Sequence, residues 1–267
     1  MKLFTAVYAT IACLFVSSTC AASTINEGWS YRTNDPVTHG PADWGAEFPV
    51  CAGSRQSPID ITQRDACGEE KRRAPLSFAG ECSNFHIKQL YESYKAEIAN
   101  GSCTVLAKNK SYNFAQVHFH APSEHTLNGK TFDGEVHFVH QAADGNILVV
   151  GLFLTKKQGA TTDPFVAKFW WALQQVSTTN PVDVALGSYA SLLKSKTSKG
   201  HAYNYPGSLT TPGCSETVDW WVLERALPVA AADFASFQTS LARIGAAANG
   251  TNARPIQALN GRSIIVY

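Results

Sequence analysis

The chain has 267 residues, 45% hydrophobic and 16% charged, with a formal net charge of +1. That balance excludes a disordered chain and a protein that holds nucleic acid by bulk phosphate neutralisation. Seven Cys beside a single Met point to an oxidising compartment.

Lys2, the apolar run over 3–16 and the small residues Ser17, Ser18, Thr19, Cys20, Ala21 and Ala22 read as a secretory signal peptide over 1–22, cleaved between Cys20 and Ser23. The apolar run is shorter than the roughly 20 residues a spanning helix needs, so no membrane span is expected. Cleavage removes Lys2 and brings the net charge from +1 to zero. It leaves Cys51, Cys67, Cys82, Cys103 and Cys214, an odd set in which one thiol lacks an intrachain partner. Asn100, Asn109 and Asn249 head Asn-X-Ser/Thr sequons and are candidate glycosylation sites. The expected product is a secreted, extracellular glycoprotein.

No linker, repeat or charge block divides residues 23–267, which read as one domain. Gly and Pro are scattered between short runs rich in Val, Ile, Phe and Tyr, the pattern of strands joined by turns. The clearest strands are 114–120, 135–141 and 147–154. The last is continuously apolar and should be buried on both faces. Asp163-Pro164 starts a helix with Phe165, Phe169, Trp170 and Leu173 at helical spacing. Phe234, Phe237, Leu241 and Ile244 mark a second, with Asp233 as cap and Gly245 as stop. Both aromatic stripes read as core packing. The fold class is mainly β (α+β): a large, mostly antiparallel twisted sheet with a few peripheral helices.

The segment that carries chemistry runs from Gln116 to His125. Side chains alternate along a strand, so Gln116, His118 and His120 share a face. On the later strand Glu135, His137 and Val139 share one. If the two strands are neighbours, His137 completes a three-His site. Three neutral imidazoles suit Zn²⁺ and leave a fourth position for water. Gln116 and Glu135, each two residues from a ligand, are the acceptors expected to orient His118 and His137. His125 and His140 read as structural. His118-X-His120-X₃-Glu124 also fits the first metal motif of cupins, but the second motif of that family is missing.

These residues, with Trp29-Ser30-Tyr31, Gln56-Ser57-Pro58, the segment from Tyr205 through Leu209-Thr210-Thr211-Pro212, and Asn252-Ala253-Arg254-Pro255, make the chain resemble the α-class carbonic anhydrases over essentially all of 23–267. The resemblance implies a zinc enzyme that hydrates CO₂ to bicarbonate and a proton, with His118, His120 and His137 as ligands. It implies that Thr210 accepts a hydrogen bond from zinc-bound hydroxide and donates one to Glu124. It places Thr211 in the substrate cavity and Val139, Val149, Leu209 and Trp220 around CO₂. It implies a Cys51–Cys214 disulfide and leaves one further pair among Cys67, Cys82 and Cys103. Fast members carry a proton-shuttling His in the cavity. Here the matching position reads as Tyr94, a poor relay at neutral pH, with His39, His86 or His201 as substitutes. The alternative reading is a catalytically silent relative that serves in binding or storage.

Overall fold

The computed structural model describes residues 28–62, 76–198 and 200–267. The predicted signal peptide and Cys67 fall outside them.

The strands are β1 (Asp60–Ile61), β2 (Leu76–Glu81), β3 (Asn84–Gln89), β4 (Tyr94–Ile98), β5 (Ser102–Ala107), β6 (Lys110–His120), β7 (Thr126–Leu127), β8 (Lys130–Thr131), β9 (Gly134–Gln141), β10 (Ile147–Lys157), β11 (Val182–Ala185), β12 (Ala202–Gly207), β13 (Val218–Ala230) and β14 (Ile265–Val266). The α-helices are α1 (Trp44–Glu47), α2 (Pro164–Ala172), α3 (Tyr189–Thr197) and α4 (Ala231–Leu241). The main sheet has 11 strands, in the order β11-β3-β4-β6-β9-β10-β13-β12-β14, with β2 beside β5 and β5 beside β6. Long β6 serves two partners along one edge: its start pairs with β5 and its end with β4.

The large β-rich architecture with few helices is as the sequence predicts. Within the main sheet the exception to antiparallel pairing is β10 with β13, which run parallel from Ile147↔Val218 to Lys157↔Ala230. β10 therefore lies between β9 and β13, and both its faces are covered. This is why 148–154 is an unbroken buried run rather than an alternating one. β10 also outruns its predicted end at 154, because pairing with β13 carries the polar residues to Lys157.

One face of the sheet is the main core. Val117, Phe119, Val136, Phe138, Leu148, Val150 and Leu152 point there and meet Phe165, Phe169 and Trp170 of α2, Tyr189 of α3, and Phe234 and Phe237 of α4. Trp170 stacks on Phe237 at 4.9 Å. Truncating such an aromatic to Ala typically costs ~3–5 kcal/mol. The opposite face carries a second cluster around Val139, Val149, Phe153, Tyr205 and Trp220, and the cavity described below opens on it.

α2 begins as the sequence predicts: the Asp163 side chain accepts from Phe165 N at 2.9 Å, and Pro164 sits where no N–H is needed. α4 differs. Its N-cap is Ala230, and Asp233 lies inside the first turn, where its carboxylate accepts from Thr162 Oγ1 at 2.5 Å. Gly245 does not stop the helix, which ends at Leu241. A Cβ at Gly245 would meet the Tyr91 ring at 2.9 Å, so close packing explains this glycine. α3 was not predicted. It is short and Lys/Ser-rich on its outer side, and only Tyr189, Ala190, Leu192 and Leu193 reach the core.

Two disulfides are formed among the described residues. Cys51–Cys214 joins positions 163 residues apart, and Cys82–Cys103 ties the β2–β3 turn to β5. The second is the pair that the sequence left open.

Candidate active site

The site is built on β6 and β9, which are antiparallel neighbours with His118 directly opposite His137 and His120 opposite Glu135. A bulge interrupts their register between Phe114 and Gln116. Phe114 and Val117 both belong to the core although they stand three positions apart. The extra residue, Ala115, switches the alternation, so that Ala115, Gln116, His118 and His120 all line the cavity.

Each of the three imidazoles is held from behind. His118 Nδ1 donates to Gln116 Oε1 at 2.8 Å. His120 Nδ1 donates to the Asn252 carbonyl at 2.7 Å. His137 Nε2 donates to Glu135 Oε1 at 2.9 Å. All three partners accept, which fixes a proton on that nitrogen and leaves the other one free of these bonds. One ligand atom from each ring lies within 4.8 Å of the other two. His120 Nε2 is buried with no hydrogen-bond partner. Burial, followed by the neighbouring imidazoles, pushes the His118 pKa well below its usual value, and burial lowers that of His120. His118 and His120 are therefore neutral at pH 7, the form that binds a metal. An orphaned nitrogen among three convergent imidazoles is a donor set that fits Zn²⁺.

Glu135 anchors this frame. Besides His137 its carboxylate accepts from His125 Nδ1 at 2.8 Å, His125 N at 2.9 Å and Glu124 N at 3.0 Å. Burial alone would raise its pKa, but His125 and His137 outweigh that and hold it well below the usual carboxylate range. His125 Nε2 lies 2.7 Å from Tyr205 Oη, which reaches Ser57 Oγ at 2.8 Å. Both nitrogens of His125 are thus engaged. The grouping of His125, Glu135 and His137 is a hydrogen-bonded scaffold, not a second metal site. His140, on the core side, lies 2.9 Å from Tyr189 Oη.

The cavity has a volume of about 250 Å³. Val139, Ile147, Val149, Leu209 and Trp220 form an apolar wall, and Tyr31, Glu92, Ser93, Lys95, Thr210 and Thr211 a polar one. The Thr210 loop is pinned at several points. Ser208 N donates to Ser57 Oγ at 3.0 Å, Trp220 Nε1 to the Ser208 carbonyl at 2.9 Å, and the Cys51–Cys214 bridge closes its far end.

Two expectations change at residue level. The Thr210–Glu124 hydrogen bond is not formed: Glu124 Oε1 accepts from Arg254 N at 2.9 Å, while buried Oε2 has no hydrogen-bond partner. Oε2 instead turns toward the ligand rings, 3.4 Å from His120 Nε2 and 3.8 Å from His137 Nδ1. Tyr94 is not in the cavity. It is 2% exposed in the main core, and its hydroxyl donates to the Ser240 carbonyl at 3.1 Å. The reason is strand parity: Lys95, not Tyr94, stands opposite His118 and so shares its face. His39, His86 and His201 are not cavity-lining residues either; His39 lies near Glu47, and His86 and His201 pair with Asp183 and Glu224. The pairing register of β4 with β6 is the signal that would have pointed to Lys95; Glu92 and Ser93 precede β4 and lie outside that register. Asn100, Asn109 and Asn249 are all exposed.

Residues 39–267 match the family model for eukaryotic-type carbonic anhydrase. A carbonic anhydrase of Pectobacterium carotovorum is 32% identical over 250 residues, covering 92% of this chain and 93% of that protein. The structure is similar to that of an α-carbonic anhydrase of Photobacterium profundum, with a TM-score of 0.72 and 32% identity over 89% of this chain and 99% of that one. It also shares its fold with a dioscorin complexed with ascorbate, at 24% identity and a TM-score of 0.73 over 90% of this chain and 97% of that one.

Proposed function

The chain belongs to the eukaryotic-type carbonic anhydrase family, and we propose that it interconverts CO₂ and bicarbonate with a zinc ion held by His118, His120 and His137. When bound, zinc supplies a Lewis acid that lowers the pKa of its water to about 7, as is established for this enzyme class. The residues around it supply orientation. Gln116, Asn252 and Glu135 fix the three rings by their hydrogen bonds. The apolar wall of Val139, Val149, Leu209 and Trp220 suits CO₂, which is small, uncharged and poor in hydrogen-bonding groups. Thr210 and Thr211 both line the cavity, and Thr210 offers a hydroxyl to orient the attacking oxygen.

The observation that carries this reading is the convergence of three imidazole nitrogens within 4.8 Å, one of them buried and unpartnered. Calorimetric zinc titration of the chelator-treated protein tests it. One equivalent should bind tightly to the wild type, and His120→Ala should lose at least tenfold in affinity, the smallest loss usual even for an outer partner of a ligand. Equal affinity in the variant would contradict the assignment.

We further propose that the chain is secreted after loss of 1–22 and that residues 23–267 form one catalytic domain. The two disulfides support an oxidising destination. Among the described residues no helix is long and apolar enough to cross a membrane.

A further inference from the structure

Hydration of CO₂ releases a proton inside a cavity, and that proton must reach solvent before the next turnover. Apart from the three imidazoles, the titratable cavity-lining side chains among the described residues are Tyr31, Glu92 and Lys95. Tyr31 is buried, and its hydroxyl is pushed well above its usual pKa, first by burial and then by Glu124 and Glu92. It stays protonated, and an ammonium such as that of Lys95 has no lone pair to offer. A carboxylate is the one remaining base. The Glu92 side chain is 15% exposed, in touch with both cavity and solvent, with Oε1 2.6 Å from Lys95 Nζ. Lys95 in turn stands opposite His118, so the ion pair links the ligand strand to the cavity wall.

We infer that Glu92 is the proton acceptor of this cavity. The inference rests on the hydration reaction proposed above. Hydration turns CO₂ and water into bicarbonate and one proton. The Glu92 carboxylate takes that proton and becomes a carboxylic acid. A buffer base then removes it and regenerates the carboxylate. A carboxylate is a weaker base than imidazole, so Glu92 exports protons more slowly than a histidine in its place would.

Stopped-flow hydration in weak buffer tests this with Glu92→Gln and Glu92→His. Proton export follows the CO₂ step, so Glu92→Gln should lower kcat by about tenfold, less than the ~10²–10⁴ of a well-matched group. Its kcat/KM should be unchanged, and imidazole buffer should restore kcat. Glu92→His should raise kcat above the wild type, because its basicity lies nearer the working pH. An unchanged kcat in Glu92→Gln overturns the inference. So does a fall in kcat/KM in step with kcat, the mark of a merely structural residue. A second readout needs no turnover: the ¹³C carboxyl resonance missing from Glu92→Gln should follow bulk pH, and a resonance that never titrates also overturns the inference. Wild-type protein that binds zinc but hydrates no CO₂ would contradict the hydration reading instead, and the resonance still decides whether Glu92 exchanges protons.

Discussion

His140 shows what a buried histidine does when it is not a ligand. It faces the main core, with Nε2 2.9 Å from Tyr189 Oη, and burial pushes its pKa down to about 4. The folded protein therefore holds it neutral where the unfolded chain, with an ordinary value near 6.5, binds a proton. Its contribution is fully present above pH 6.5 and is lost as the pH falls through about 4. The loss amounts to roughly 3 kcal/mol. Urea unfolding at pH 7 and pH 4.5 should show a larger drop for the wild type than for His140→Gln; equal drops would remove this assignment. Thr210 sets a second test at this scale. Thr210→Ala should reduce kcat/KM for CO₂ by about 10²-fold or more, as loss of one oriented hydrogen-bonding group does elsewhere, while Thr210→Ser retains most of it. The ligand residues were legible in the sequence because two His two apart on a strand must share a face. Tyr94 was misplaced because an alignment by similarity carries no parity, whereas the pairing of Lys95 with His118 does.

The β6–β9 pair is the element that makes the site. Its register sets His118 against His137, and the bulge at Ala115 lets one strand serve the core with Phe114 and the cavity with Gln116. Inserting one residue between Gln116 and Val117 would throw the ligand end of β6 onto the wrong face, since a one-residue slip inverts every side chain beyond it. That insertion should abolish stoichiometric zinc binding, measured on whatever folded protein is recovered; retention of one equivalent would show that the strand register does not set the site. Strand positions were readable from alternation and from the apolar run over 148–154. The parallel partnership of β10 with β13 was not, because 60 or more intervening residues carry no local mark of which strands will meet. α3 escaped for a related reason: nine residues with Lys and Ser outward hold too little pattern.

At the scale of the molecule, the sheet separates two environments. One face packs aromatics from α2, α3 and α4 into a core, and the other keeps buried charge and hydrogen-bonded polar groups around a cavity. The Cys51–Cys214 bridge joins the Gln56-Ser57 segment to the Thr210 loop across 163 residues of chain, a closure that in entropic terms contributes ~4–5 kcal/mol. The double variant Cys51→Ala/Cys214→Ala should therefore lose several kcal/mol in urea unfolding at neutral pH; an unchanged midpoint would mean that the loop is held by its hydrogen bonds alone. The family and its fold were legible in the motifs, while the Cys82–Cys103 pairing required the fold to bring β5 beside the β2–β3 turn.

The most direct measurement is stopped-flow CO₂ hydration on purified protein of known zinc content, repeated after chelation and again after one equivalent of zinc is restored. Activity that disappears with the metal and returns in proportion to zinc is the expected result. Full zinc occupancy at His118, His120 and His137 without hydration would contradict the catalytic assignment and favour a binding or storage role.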